Sequence, residues 1–144
     1  MYISDIIETK GAAVTTIVET ETIQAAAKIL REKRFGSLVV RDRHGKLAGI
    51  ITERDLIRGV ADKGAAALNY RVEDLMTRDV KTCKPTDLVK DVMEMMASRK
   101  IRHVPVVVSG ELVGIISSTD IVKFRLSERA SEVAVLRDLS RARA

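Results

Sequence analysis

Two short segments carry the residues best suited to chemistry. Thr52-Glu53-Arg54-Asp55 and Ser117-Ser118-Thr119-Asp120 each place a hydroxyl three residues ahead of a carboxylate. At a helix start this spacing makes a capping box, in which the hydroxyl accepts from the third residue's N–H and the acid accepts from the cap's own N–H. Asp is shorter than the Glu usually found there. The same geometry can serve a ligand. A helix N-terminus offers unpaired N–H groups and partial positive charge, which suit a phosphate. A hydroxyl adds a donor. A carboxylate accepts from both hydroxyls of a ribose, as acidic residues do in dinucleotide sites. The two readings are compatible, because a cap can also face a ligand. Arg54 lies inside the first segment, as either a solvated charge or a phosphate contact.

Other chemistries find no support in the pattern. No Cys/His group has zinc spacing, no Gly-rich loop of Walker or Rossmann type appears, and two histidines with no Ser-His-Asp arrangement suggest no triad. The reading is a non-enzyme that requires no metal. Gly45, Gly49, Gly110 and Gly114 are read as hairpin residues. His44 sits in a turn and has no assigned role. The single cysteine, Cys83, cannot make an internal disulfide. It reads as a small buried hydrophobe in a reducing, cytoplasmic setting.

The elements that position the two segments come as an internal repeat. Val14-Thr15-Thr16-Ile17 matches Val80-Lys81-Thr82-Cys83, and Ile23, Ala26, Ile29 and Leu30 match Val89, Val92, Met95 and Met96 at the same offset. Leu38-Val39-Val40 matches Val104-Pro105-Val106, and Gly45–Thr52 matches Gly110–Ser117 after one residue is lost in a turn. Each copy opens with a β-prone stretch (Val14–Ile17, Lys81–Cys83). A helix follows (Thr22–Lys33, Asp87–Arg99) with apolar residues at i, i+3, i+4 and i+7. Two apolar runs around a Gly-containing turn read as a hairpin (Ser37–Arg41 with Lys46–Thr52, His103–Val108 with Glu111–Ser117). A second helix starts at Glu53 and at Ser118. The order is β-α-β-β-α twice. The expected fold is α+β (α/β), with two small three-stranded sheets flanked by helices and packed with pseudo-two-fold symmetry. The chain divides into an N-terminal helix and lead-in (1–13), repeat 1 (14–63), a linker with a short helix at Val72–Met76 (64–79), repeat 2 (80–124) and a basic helical tail (125–144). Ile3-Ser4-Asp5-Ile6-Ile7 resembles Arg71-Val72-Glu73-Asp74-Leu75-Met76, and each precedes a first strand.

Two copies of this order, with junctions Gly49-Ile50-Ile51-Thr52-Glu53-Arg54-Asp55 and Gly114-Ile115-Ile116-Ser117-Ser118-Thr119-Asp120, resemble a tandem pair of CBS domains, called a Bateman module. The resemblance covers roughly Val14–Phe124 and looks like the stand-alone kind. It implies a regulatory module that binds adenosyl ligands (AMP first, with ADP, ATP, NAD or S-adenosylmethionine) between the copies. It also implies pairing into a disc-like homodimer and the relay of energy or redox status to an unknown target protein. The resemblance places adenine against Thr16-Ile17 and Thr82-Cys83, with Ile17, Ile51, Val104 and Ile116 lining the slots. It places ribose on Asp55 or Asp120, and phosphate on Thr52 or Ser117 and on the pair Arg102-His103 before Val104-Pro105-Val106. Repeat 1 has Gly36-Ser37 where repeat 2 has Arg102-His103, and repeat 2 has Thr119 where repeat 1 has Arg54. The sites are therefore unequal, and one is expected to be the better phosphate site. His103 is alternatively a satisfied, partly buried histidine. The alternative function is a ligand-independent dimeric scaffold.

Composition narrows the partners. The chain has 144 residues, 46% hydrophobic, with a net charge of +5. The segment from Lys123 onward supplies +3 of that. With two Phe, two Tyr and no Trp, a single-strand binder lacks its stacking rings, so nucleic acid is not the expected partner. No apolar run approaches a bilayer span and no secretory signal is visible. Expectations for the tail are a helix packed on its own domain or a dimer or docking contact.

Overall fold

A computed structural model describes residues 1–11 and 13–142; Ala12 of the lead-in and Arg143 and Ala144 of the tail lie outside the described residues. The elements are α1 (Ile3–Lys10), β1 (Thr16–Val18), α2 (Ile23–Lys33), β2 (Ser37–Arg41), β3 (Leu47–Thr52) and α3 (Glu53–Lys63), then a 3-10 turn at Gly64–Asn69. They continue as α4 (Val72–Leu75), α5 (Val89–Arg99), β4 (His103–Val108), β5 (Glu111–Ser117) and α6 (Ser118–Ala142).

Local rules account for the ends. Thr22 caps α2 by accepting from the Ala25 N–H at 3.1 Å. Helices α2 and α5 both close on a left-handed residue, Arg34 at φ 56° and Lys100 at φ 55°, the same device at equivalent positions. In the first sheet β1 runs parallel to β2, and β2 antiparallel to β3.

The second sheet differs from expectation. It has two strands, β4 and β5, and the stretch Lys81–Cys83 is reduced to one parallel bridge between Cys83 and Val106. The cause is local. In repeat 1 the ladder continues past β1 because the Glu19 N–H donates to the Arg41 carbonyl. Its repeat 2 counterpart is Pro85, which has no N–H to give, and the preceding Lys84 N–H is taken by the Asp87 carboxylate at 2.8 Å.

Each sheet packs one face on helices, but the helices do not all come from its own repeat. The core behind β2 and β3 holds Ile17, Ile23, Ala26, Leu30, Leu38, Val40 and Ile51 together with Val72 and Met76 from the linker. The core behind β4 and β5 holds Cys83, Val89, Val92, Met96, Val104, Val106, Ile116 and Ile121 together with Ile3 and Ile6 from α1. The two look-alike segments are thus exchanged: each completes the other copy. Ile3 and Ile6 are 0% and 2% exposed, and burial on this scale stabilises by about 2–3 kcal/mol per side chain.

The exchange is pinned by matching backbone bonds. The Ile3 and Ser4 N–H groups donate to the Asp87 and Pro85 carbonyls, and the Val72 and Glu73 N–H groups donate to Glu21 and Glu19. The two repeats meet at a seam where Gly36 lies against the His103 imidazole. Two glycines read as hairpin residues have another task. Gly45 and Gly110 do turn the hairpins at φ 79° and 81°. Gly49 and Gly114 lie inside strands, where a Cβ would meet the Thr77 carbonyl oxygen at 2.6 Å and the Ile7 Cδ1 at 2.7 Å. They are small so that the exchanged segments can approach.

Candidate functional site

Each motif sits where a strand hands over to a helix, as its spacing requires. In repeat 1 the Asp55 N–H donates to Thr52 Oγ1 at 3.2 Å and the Thr52 N–H donates to Asp55 Oδ2 at 3.0 Å. In repeat 2 the Asp120 N–H donates to Ser117 Oγ at 3.0 Å and the Ser117 N–H donates to Asp120 Oδ2 at 2.8 Å. Both are capping boxes, with Asp doing the work of Glu.

The surroundings of the two carboxylates differ. Asp55 also accepts from the Thr77 hydroxyl, at 3.2 Å on Oδ1 and 3.4 Å on Oδ2. Its side chain is only 4% exposed, with Arg58 at 3.8 Å as a weak surface pair. Thr77 is held there because its backbone pairs both ways with Ile50, at 2.9 and 3.0 Å. Asp120 instead accepts from Lys10 Nζ at 2.6 Å, and its side chain is 20% exposed. Both bonds to Asp120 use Oδ2, and no described residue donates to Oδ1. The same ammonium donates to the Ile115 carbonyl at 2.8 Å. Neither Thr77 nor Lys10 was singled out by sequence. The only signal was the resemblance between the two lead-in segments, and it does not say which copy each will join.

Titration follows from these contacts. Burial pulls the Asp120 carboxyl upward, but the bonds from Lys10 and Ser117 and the Lys10 charge outweigh it, so the group titrates below its ordinary value. Burial lowers His103, against the pull of the Asp120 charge. Its half-buried ring therefore favours the neutral form at the seam. Arg102 beside it is exposed. Burial, helped by the Asp87 charge, pushes the Cys83 thiol up to about 12, so it is not a thiolate nucleophile.

The remaining candidates divide clearly. Ile51, Val104 and Ile116 are 0% exposed, Cys83 4% and Ile17 5%, all inside the helix-side cores. These side chains pack against the helices. Pro105 is buried as well, on the other face of β4. Thr16 is half-buried and Thr82 exposed, while Arg54 and Thr119 are exposed on the first turns of α3 and α6. Two shallow surface hollows, about 550 and 380 Å³, are lined by Ala66, Asn69, Tyr70, Arg71, Glu73 and Asp74, and by α6 residues from Leu126 to Arg137. Neither includes a candidate site residue. Among the described residues no group of His, Cys, Asp and Glu is arranged to hold a metal, and no helix is long and apolar enough to cross a membrane.

Known proteins share this arrangement. The family model for the CBS domain matches twice, over residues 3–62 and 72–127. An uncharacterized 17.7 kDa protein of Acidianus ambivalens is 38% identical over 103 residues, which is 71% of this chain and 61% of that relative's length. A mitochondrial CBS domain-containing protein of Arabidopsis thaliana is 32% identical over 139 residues, 91% of this chain and 68% of its own. The crystal structure of a CBS-domain containing protein from Agrobacterium tumefaciens superposes with a TM-score of 0.84 at 40% identity, covering 86% of this chain and 92% of that one.

Proposed function

The chain belongs to the CBS-domain family, and on that premise we propose that it is a non-catalytic regulatory module that binds an adenosyl ligand, AMP foremost, at the repeat 2 cap. ADP, ATP, NAD and S-adenosylmethionine are the competing ligands. The observation that carries this reading is Asp120. It is a partly exposed carboxylate at a helix start, near the seam, with no described residue donating to Oδ1 and with Lys10, Arg102 and His103 close by. Asp55 has the same motif, but Thr77 covers it. Asp120 would take ribose hydroxyls, and the cations would take phosphate. The bound ligand would favour one pose of the two repeats, by no more than its difference in affinity for the poses, and a partner protein would read that pose.

A homodimer fits the surface. Ile57 on α3 and its counterpart Val122 on α6 are 70% and 54% exposed, apolar patches at equivalent positions that a second copy would cover.

Calorimetry and thermal melting with the five ligands test the reading. AMP should raise the melting temperature by mass action, with one site per chain. Asp120→Ala should abolish the shift and Asp55→Ala should retain it. No shift with any of the five at millimolar concentration overturns the proposal.

The scaffold alternative is favoured by one observation: from Arg125 to Ala142 every residue of α6 is exposed, Leu126 and Leu136 among them. The tail therefore does not pack on its own domain. The scaffold reading requires no nucleotide shift, and loss of a bound partner when residues 127–144 are removed.

A further inference from the structure

Two acceptors recur at equivalent places in the copies: a strand carbonyl and the cap carboxylate. In repeat 1 the Ile50 carbonyl takes the Thr77 N–H at 2.9 Å and Asp55 takes the Thr77 hydroxyl at 3.2 Å. In repeat 2 the Ile115 carbonyl and Asp120 both take Lys10 Nζ, at 2.8 and 2.6 Å. A neutral, fixed pair of donors is replaced by one cation. An ammonium has three N–H donors. Two are spent on these acceptors and the third is directed away from them, on a side chain that is 33% exposed. The ammonium is also well placed for precision, because α1 is anchored by fully buried Ile3 and Ile6 rather than hung on a loop. Around His103 the charges of Lys10 and Arg102 are balanced by those of Asp120 and Glu53, and burial favours the neutral imidazole.

We infer that Lys10, reaching across from α1, reads the phosphate of the ligand at the repeat 2 cap, so that this site selects phosphate-bearing nucleotides over adenosine and over cationic S-adenosylmethionine. This rests on the adenosyl reading above. It deepens that reading by naming the ligand class and a residue that the motif does not contain. Repeat 1 has no counterpart, since Thr77 brings no charge.

The test is calorimetry of AMP, adenosine and pyrophosphate on the wild-type chain, Lys10→Met and Lys10→Arg. Methionine keeps an unbranched stem of similar length and removes the donors. The wild type should bind AMP about tenfold or more tighter than adenosine, the scale of one charge-assisted hydrogen bond. Lys10→Met should lose that ratio, and Lys10→Arg should restore most of it. An unchanged ratio in Lys10→Met overturns the role of Lys10 and leaves the adenosyl reading standing. Pyrophosphate binding that Lys10→Met abolishes, with no binding of adenosine or AMP, supports the role of Lys10 and overturns the adenosyl reading. No binding of any of the three to the wild type overturns both.

Discussion

At the repeat 1 cap a backbone N–H and a hydroxyl of Thr77 close off the site; at the repeat 2 cap a single lysine reaches over from α1. The first closure is neutral, short and tied into a two-way backbone bridge. The second is charged, carried on a flexible stem and partly open to water. One folding unit used twice has thus produced a cap whose acid is spent on structure and a cap whose acid and cation remain within reach of a ligand. A motif match alone would score them equally. What separates them is the segment delivered from the other copy.

The largest expected difference lies in the strand glycines. Gly49→Ala drives a Cβ into the Thr77 carbonyl, which is backbone and cannot move aside without breaking the Ile50 bridge. It should cost about 3 kcal/mol in urea unfolding. Gly114→Ala meets only the end of the Ile7 side chain, which can change rotamer, and should cost about 1 kcal/mol. Equal losses would mean that the two closures are equally rigid.

The cap acids come next. Asp55→Ala removes the capping box and the bond from the Thr77 hydroxyl, which can then turn to water, at about 2 kcal/mol. Asp120→Ala removes a capping box and an ion pair whose members are 33% and 20% exposed. Solvent discounts that pair, leaving about 1 kcal/mol. A costlier Asp120→Ala would reverse the assignment of structural and open caps.

The smallest effect is a pH dependence at the repeat 2 cap. His103 titrates below its ordinary value when folded, so its contribution is complete above pH about 6.5 and falls away as acidification protonates the unfolded chain first. Asp120 also titrates below its ordinary value. Its contribution is present above about pH 4 and is lost as pH falls through the folded value. In chemical unfolding followed from pH 7 to 3, His103→Gln should remove the upper step and Asp120→Asn should reduce the lower, the remainder coming from Asp42, which the Lys46 and His44 N–H groups hold below its ordinary value. Neither Ser37, which replaces His103 in repeat 1, nor Thr77 supplies a matching step.

Much of this was legible in the sequence. The helices, both hairpins and both helix starts at Glu53 and Ser118 follow from periodicity, turn residues and the hydroxyl–acid spacing, all of which act over a few residues. Failures came where a distant partner decides. Lys10 meets an acid 110 residues away and Thr77 one 22 residues away, and no local pattern encodes that. Gly49 and Gly114 looked like turn residues because only the exchanged segments reveal why a side chain is forbidden there. Strand alternation, by contrast, places Val104 and Ile116 in the core behind β4 and β5. Pro85 was visible all along, and its missing N–H foretold the shortened ladder beside Cys83.

The exchanged segments also set an order of events during synthesis. Ile3 leaves the ribosome well over a hundred residues before Ile121, yet the two end in one cluster. At roughly 5–20 residues per second the amphipathic α1 must wait several seconds or more for its partners, with Ile3 and Ile6 exposed to water meanwhile. Repeat 1 faces a shorter delay, since Val72 and Met76 follow its last strand closely. The first copy can therefore complete itself on the growing chain, while the second depends on a segment made long before it. A nascent chain stalled between the two would offer α1 as an unprotected hydrophobic tag, open to chaperones or to the unfinished second copy of a neighbouring chain.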